Sequence, residues 1–525
     1  QDNSNHCGQR EERLAKASRL RLYLQQEDHQ GQDHQEKEVA MKAKMFLVAT
    51  SLVALLLQPI SASAVPENTW DDPTPSFGVN LVETFFNTGE GDSRLFVTTP
   101  FKNSSMPNEI KCETWGTKYP CDGSIPPNVN ILVGKSDGAE LNCVETLAVT
   151  KKDEPYAEAK FLRQVVGPGF NAVPKLGLQA GKTMSLWSAG TKHAEDQDTY
   201  AVYMQLAMGY DQLARKVVPV GVSVLVLPYV EQDGDYEPAA SKSEILSDGR
   251  IALSTYGGRA ECAWTEVGKC GRTVNFADGT QVELKVRLSK EISGWFKGRL
   301  VGPTLSVKSH NTKANLVTVK ASPASVSTFT FATPVATAGK TLKKFFAEDL
   351  KSDPNREDFK FNTRVDYSYG GESLEAFRSA ADDTATGRST VWSFGTSFTD
   401  MGHPCLKSNS KLLGIATTNS MVYTGGTPTY KNGYLSYSVA GMHYEPDGTT
   451  PVLGTYDLVM RSDTARCLYG FGKAPLSATV SVVNDKGTKT TATTVVSEKN
   501  DWLKMAAYGF TFSKKTIKVK ITKKK

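Results

Sequence analysis

Residues 402–405 read Gly-His-Pro-Cys and set an imidazole two positions from a thiol. A cysteine nucleophile and its general base need those two side chains, but such a pair acts through space, so closeness in the chain does not make one. A disulfide at Cys405 would remove the thiolate altogether, and that is the favoured reading. Beyond residue 64 the histidines are His193, His310, His403 and His443. No His-Glu-x-x-His or paired Cys-x-x-Cys occurs. A zinc site needs convergent His or Cys ligands, and nothing here has that spacing.

Acidic and aromatic clusters are the other candidates. Residues 229–238, YVEQDGDYEP, carry Glu231, Asp233, Asp235 and Glu237 at alternate positions. Oxygen ligands at this density could hold calcium. The EF-hand order is absent, so a solvated acidic hairpin turning at Asp233-Gly234 is the favoured reading. Residues 421–444 hold Tyr423, Tyr430, Tyr434, Tyr437 and Tyr444. Exposed tyrosines on loops recognise sugars and proteins, and inside β-sandwiches they are ordinary core and cross-strand residues. A glycosidase would need two acids held in one cleft, which spacing cannot show.

The elements that must position these residues read as strands. In RTVNFADGTQVELKVRLS (272–289), Val282, Leu284, Val286 and Leu288 fall on one face and Glu283, Lys285 and Arg287 on the other. PVGVSVLVLPYV (219–230) is nearly all apolar, as in a sandwich-core strand. Asp-Gly pairs at Asp122, Asp137, Asp233, Asp248, Asp278 and Asp447 suit tight hairpins. Two helices are expected, over 338–354, with Leu342, Phe345, Phe346 and Leu350 on one stripe, and over 371–383. The fold class is therefore mainly β: tandem Ig-like β-sandwiches with one or two short helices, following an N-terminal signal peptide. The expected division is 65–335 as an N-terminal β-rich region of one or two sandwiches, 336–474 as a central β-rich domain with short helices, and 475–525 as a small C-terminal sandwich.

Lys42 and Lys44, an apolar run over 46–57 and Ala62-Ser63-Ala64 are the three parts of a secretory signal, in order. It spans 41–64 and predicts cleavage between Ala64 and Val65. The run is too short to cross a bilayer. Residues 1–40 are polar and read as an untranslated leader or disordered tail, with Met41 as the start. No other apolar stretch is long enough to span a membrane. The net charge of +5 is not a nucleic-acid footprint.

Seven cysteines follow the signal, and outside the cytosol they should pair. Cys262 and Cys270 flank a short loop, and Cys405 and Cys467 stand alone in the C-terminal half. Among Cys112, Cys121 and Cys143 one is left over. Cys112–Cys121 is the favoured pair, with Cys143 free and buried, although spacing alone leaves the three open.

GWFKGRLVGPTLSV (294–307), TTNSMVYTGGTPTYKNGYLSYSVAGMHYEPDGTTPVLGTYDLVMRSDTARCLYGFGKAPLSATVSV (417–482) and WLKMAAYGFTFSKKTIKVKI (502–521) resemble segments that recur in a group of uncharacterised secreted β-rich proteins of actinobacteria. The resemblance implies export and a β-rich architecture and transfers no catalytic residue. In SKKTIKVKITKKK (513–525), Ile517, Val519 and Ile521 alternate with Lys518 and Lys520, as in a strand with one wet face. The lysines either guard a sheet edge, the favoured role, or hold the protein near anionic surface polymer, with Lys523, Lys524 and Lys525 extending the charge. The functional expectation is a secreted or cell-surface binding or structural module whose partner is cell-wall polymer or a surface protein. An extracellular glycan-acting hydrolase is the alternative.

Overall fold

Val282, Leu284, Val286 and Leu288 all turn inward from the strand Thr280–Ser289 in the computed structural model, and the chain is mainly β. The structure describes most of residues 68–523. The first 67 residues lie outside the described residues, as do several shorter stretches, among them 82–92, 100–107, 246–250 and 255–261. The leader, the apolar run and the Ala64/Val65 site therefore fall outside them.

A long central sheet organises the body. Its strands follow one another by pairing: Thr199–Asp211, Lys216–Asp233, Gly387–Ser397, Gly294–Ser309, Leu412–Thr418, Leu453–Arg461, Trp502–Thr511 and Thr493–Lys499. A second sheet, built on Cys143–Lys151, Thr280–Ser289 and Ala314–Pro334, packs on one face and is continuous with the central one, because Ala314–Pro334 also pairs with Gly294–Ser309 and Gly387–Ser397. A third, ordered Tyr434–Ala440, Lys515–Lys523 and Leu476–Asn484, packs on the other. Successive residues of a strand point to opposite faces, so the central strands feed two cores at once. Phe296, Ile415 and Val459 enter the first core, while their neighbours Trp295, Ala416 and Leu458 enter the second. Leu412–Thr418 is buried along its whole length for this reason.

Backbone pairing crosses the divisions expected near 335 and 475. Ser76–Leu81 pairs antiparallel with Ala314–Pro334 and parallel with Asp358–Thr363. Of the strands after 475, Leu476–Asn484, Lys489–Thr490 and Lys515–Lys523 join the third sheet, and Thr493–Lys499 and Trp502–Thr511 join the central one. The C-terminal strands pair with each other and, through Lys515–Lys523 and Trp502–Thr511, with Tyr434–Ala440 and Leu453–Arg461.

The helix expected over 338–354 is two short helices, Lys340–Phe345 and Ala347–Ser352, broken where the Phe346 ring stacks on Phe77 at 4.5 Å. With Tyr369–Arg378 they cover a third core holding Phe77, Val79, Leu342, Leu374 and Phe377. A further helix, Ser462–Tyr469, was not anticipated. It follows directly from a strand and ends at Gly470 in the left-handed region.

Candidate functional site

The Cys405 sulfur is bonded to Cys467, so no thiolate exists beside His403. His403 Nδ1 instead accepts the Cys405 backbone N–H at 3.2 Å, and its ring packs edge-on to Tyr430. The other disulfides are Cys112–Cys121 and Cys262–Cys270, and Cys143 is a buried free thiol. Burial pushes the Cys143 thiol up to about 11, against a lowering hydrogen bond with Ser136. Native protein treated with iodoacetamide at about pH 8 should therefore leave Cys143 unlabelled, since the thiolate is the nucleophile. Unfolding in urea should expose it. Peptide mapping that finds Cys143 alkylated in the folded protein refutes this.

Glu231, Asp233 and Asp235 form no metal-binding group among the described residues. Glu231 pairs with Arg163 at 2.6 Å and with Lys269. Burial pushes its carboxyl up, but those two cations more than offset this and hold it below the usual range. Asp233 lies opposite Lys269 in the strand register, Asp235 is exposed, and Glu237 lies outside the described residues. Among the described residues no group of three or more His, Cys, Asp or Glu side chains converges as a metal site would require.

The five tyrosines are also dispersed. Tyr437 is a core residue whose hydroxyl donates to the Thr424 carbonyl at 2.8 Å. Tyr423 is buried beneath the Arg299 guanidinium, 4.3 Å from its ring centre. Tyr430 packs against His403 and Tyr469, and Tyr444 against His443. Tyr434 alone of the five is exposed, at 38%.

Tyr434 marks the surface with the clearest binding chemistry. Lys515–Lys523 is an inner strand of the third sheet, flanked by Tyr434–Ala440 and Leu476–Asn484. The edge-guard reading of Lys518 and Lys520 therefore does not apply, because these lysines are not on an edge strand. Ile517, Val519 and Ile521 are buried in the core, which turns Lys518 and Lys520 outward onto the open face. Ser436 and Ser481 sit on either side of Lys518, and Thr479 sits beside Lys520. The Lys520 ammonium lies 5.8 Å from the centre of the Tyr434 ring, within cation–π reach. Among the described residues neither lysine has a carboxylate partner. The face thus joins one aromatic ring, two ammonium groups and a row of hydroxyls. A ring stacks on a sugar, hydroxyls exchange hydrogen bonds with it, and ammonium groups attract phosphate or carboxylate.

Two buried polar groups carried no clear signal in the sequence. Arg299 is fully buried and donates to the carbonyls of Thr418 at 3.2 Å, Met421 at 3.3 Å and Ser420. Asp457 is also fully buried, and its hydrogen-bond and ion-pair partners are Tyr508, Gly302 and Lys504, none of them a second carboxyl. The one available hint was a charged residue interrupting an apolar strand, as Arg299 does in GWFKGRLV. Among the described residues no helix is long and apolar enough to cross a membrane. No family model matches the chain, and neither a curated protein nor a solved structure matches it.

Proposed function

We propose that the protein is a secreted or cell-surface binding module that holds anionic cell-wall polymer on the open face of its third sheet. The observation that carries this is the placement of Lys518 and Lys520 on the solvent face of an inner strand, with Tyr434 beneath Lys520. A central strand needs no protection from edge pairing, so the charge there calls for another use. Three disulfides suit an oxidising compartment and so support export. In this reading the layered cores are sandwiches of Ig-like kind that act as a rigid scaffold for the face.

The test is retention on immobilised phosphate-bearing wall polysaccharide across a salt series. The parent protein should elute earlier as salt rises, because exposed charges are screened within about 10 Å at 0.1 M. The triple variant Tyr434→Ala, Lys518→Gln, Lys520→Gln should lose most of this retention with its unfolding midpoint little changed, since all three side chains are exposed. Equal retention of parent and variant, or retention that ignores salt, overturns the proposal.

A further inference from the structure

A separate constellation lies inside the body, away from that face. Asp457 is on the strand Leu453–Arg461, and Lys504 and Tyr508 are on its neighbour Trp502–Thr511. The register sets Asp457 opposite Ala506, Lys504 opposite Val459 and Tyr508 opposite Thr455. Side chains two positions apart share a face, so Lys504 and Tyr508 flank the acid diagonally on one side of the sheet.

The carboxyl is held in place by donors. Tyr508 Oη donates to Oδ1 at 2.5 Å, and the Gly302 backbone N–H donates to Oδ2 at 3.0 Å. Lys504 Nζ stands 3.4 Å from Oδ1. Burial pushes the Asp457 carboxyl up from its ordinary range, and Lys504, Tyr508 and Gly302 offset this only in part. The shift leans toward the protonated carboxyl, the form that can lose an oxygen as water. Donors on both carboxyl oxygens polarise Cγ as an oxyanion hole polarises a carbonyl. The fold holds the amine against the carboxyl, and holding two groups side by side in this way raises their effective concentration.

We propose that Lys504 Nζ and Asp457 Cγ condense to an amide, so that the folded protein carries a covalent cross-link between two neighbouring strands of its central sheet. The amine nitrogen attacks Cγ, the new C–N bond forms, and the C–O bond to one carboxyl oxygen breaks. That oxygen leaves as water, carrying the acid proton and one amine proton. No oxidant, reductant or other co-reactant enters. Tyr508 acts by stabilising charge on the carboxyl oxygen and is not itself bonded.

Two further observations agree with this product. An ion pair in the interior pays a large desolvation cost, and a neutral amide does not. Thr417 lies directly across from Asp457 on the other neighbouring strand, fully buried, with its hydroxyl unpartnered. The amide N–H is a new neutral donor in that neighbourhood. The bond would also lock Trp502–Thr511 to Leu453–Arg461 independently of the three disulfides, in a place where no cysteine lies.

The experiment is tryptic peptide mapping of the folded, purified protein after reduction of its disulfides. The expected result is a branched peptide joining the segments that contain Asp457 and Lys504, lighter than their sum by one water, with no cleavage after Lys504. Lys504→Arg and Asp457→Ala should each give linear peptides only. Tyr508→Phe should slow formation of the branched peptide on the order of a hundredfold, the usual effect of removing one oxyanion donor. The parent protein decides the matter even if a variant misfolds. Linear peptides cleaved at Lys504 in the folded parent, unchanged after prolonged incubation, overturn the proposal.

Discussion

Arg299→Met lowers the stability of the folded chain by about 3–5 kcal/mol, the usual cost of removing one partner from a buried charged network. Methionine keeps much of the length and apolar bulk of the side chain but none of its donors. The carbonyls of Thr418, Ser420 and Met421 all take hydrogen bonds from this one guanidinium. Each buried acceptor left unpaired costs about 1–3 kcal/mol. Tyr423 would also lose the cation stacked over its ring. Arg299→Lys should recover only part of the loss, because a compact ammonium cannot reproduce a planar fork of donors. Urea unfolding followed by tryptophan fluorescence measures both. A methionine variant within about 0.5 kcal/mol of the parent, the range of neutral surface changes, would show that the network does not hold the segment 418–421 in place.

Replacing Cys405 and Cys467 together by alanine should cost about 4 kcal/mol by the chain-entropy model, since the bond closes a sequence separation of 62 residues. The same change at Cys112 and Cys121, separated by 9, should cost about 2.5 kcal/mol. The longer bond joins the short helical turn Pro404–Leu406 to the helix Ser462–Tyr469. Both elements send side chains into the second core, Leu406 from the first and Ala465 and Leu468 from the second. Losing the bond therefore frees the cover of that core as well as the chain. Thermal unfolding of the two double variants under oxidising conditions compares them. A loss at Cys405/Cys467 no larger than at Cys112/Cys121 would refute the ordering.

How much of the fold was legible depended on whether a strand has one wet face. The strand Thr280–Ser289 alternates between buried and half-exposed residues over its first seven positions, where only one face is in a core, and its inward residues were readable. Lys515–Lys523 was readable for the same reason, with Ile517, Val519 and Ile521 inward and lysines outward. Leu412–Thr418, buried on both faces, shows no alternation, and the sequence held no sign that it joins two cores. The turn at Asn500-Asp501, with φ of 51° and 64°, was not among the Asp-Gly pairs read as hairpins, yet it joins the last two strands of the central sheet. The helix at 462–469 is too short to display a period.

The binding face shows the same division. Tyr434 and the two lysines were each visible in the sequence, about eighty positions apart. That Lys520 lies over Tyr434, and that the lysine strand is an inner one, follow from pairings between distant segments. Asp457, Lys504 and Tyr508 had no motif at all, because their spacing has meaning only across two paired strands. The sequence by itself determined the β character, the inward and outward faces of the half-exposed strands, and the cysteines available for pairing. These depend on side-chain alternation and chain-neighbour chemistry, which are local. Only the tertiary structure decided which strand lies beside which, since every strand offers the same backbone donors and acceptors, and the choice among partners rests on burying two faces at once.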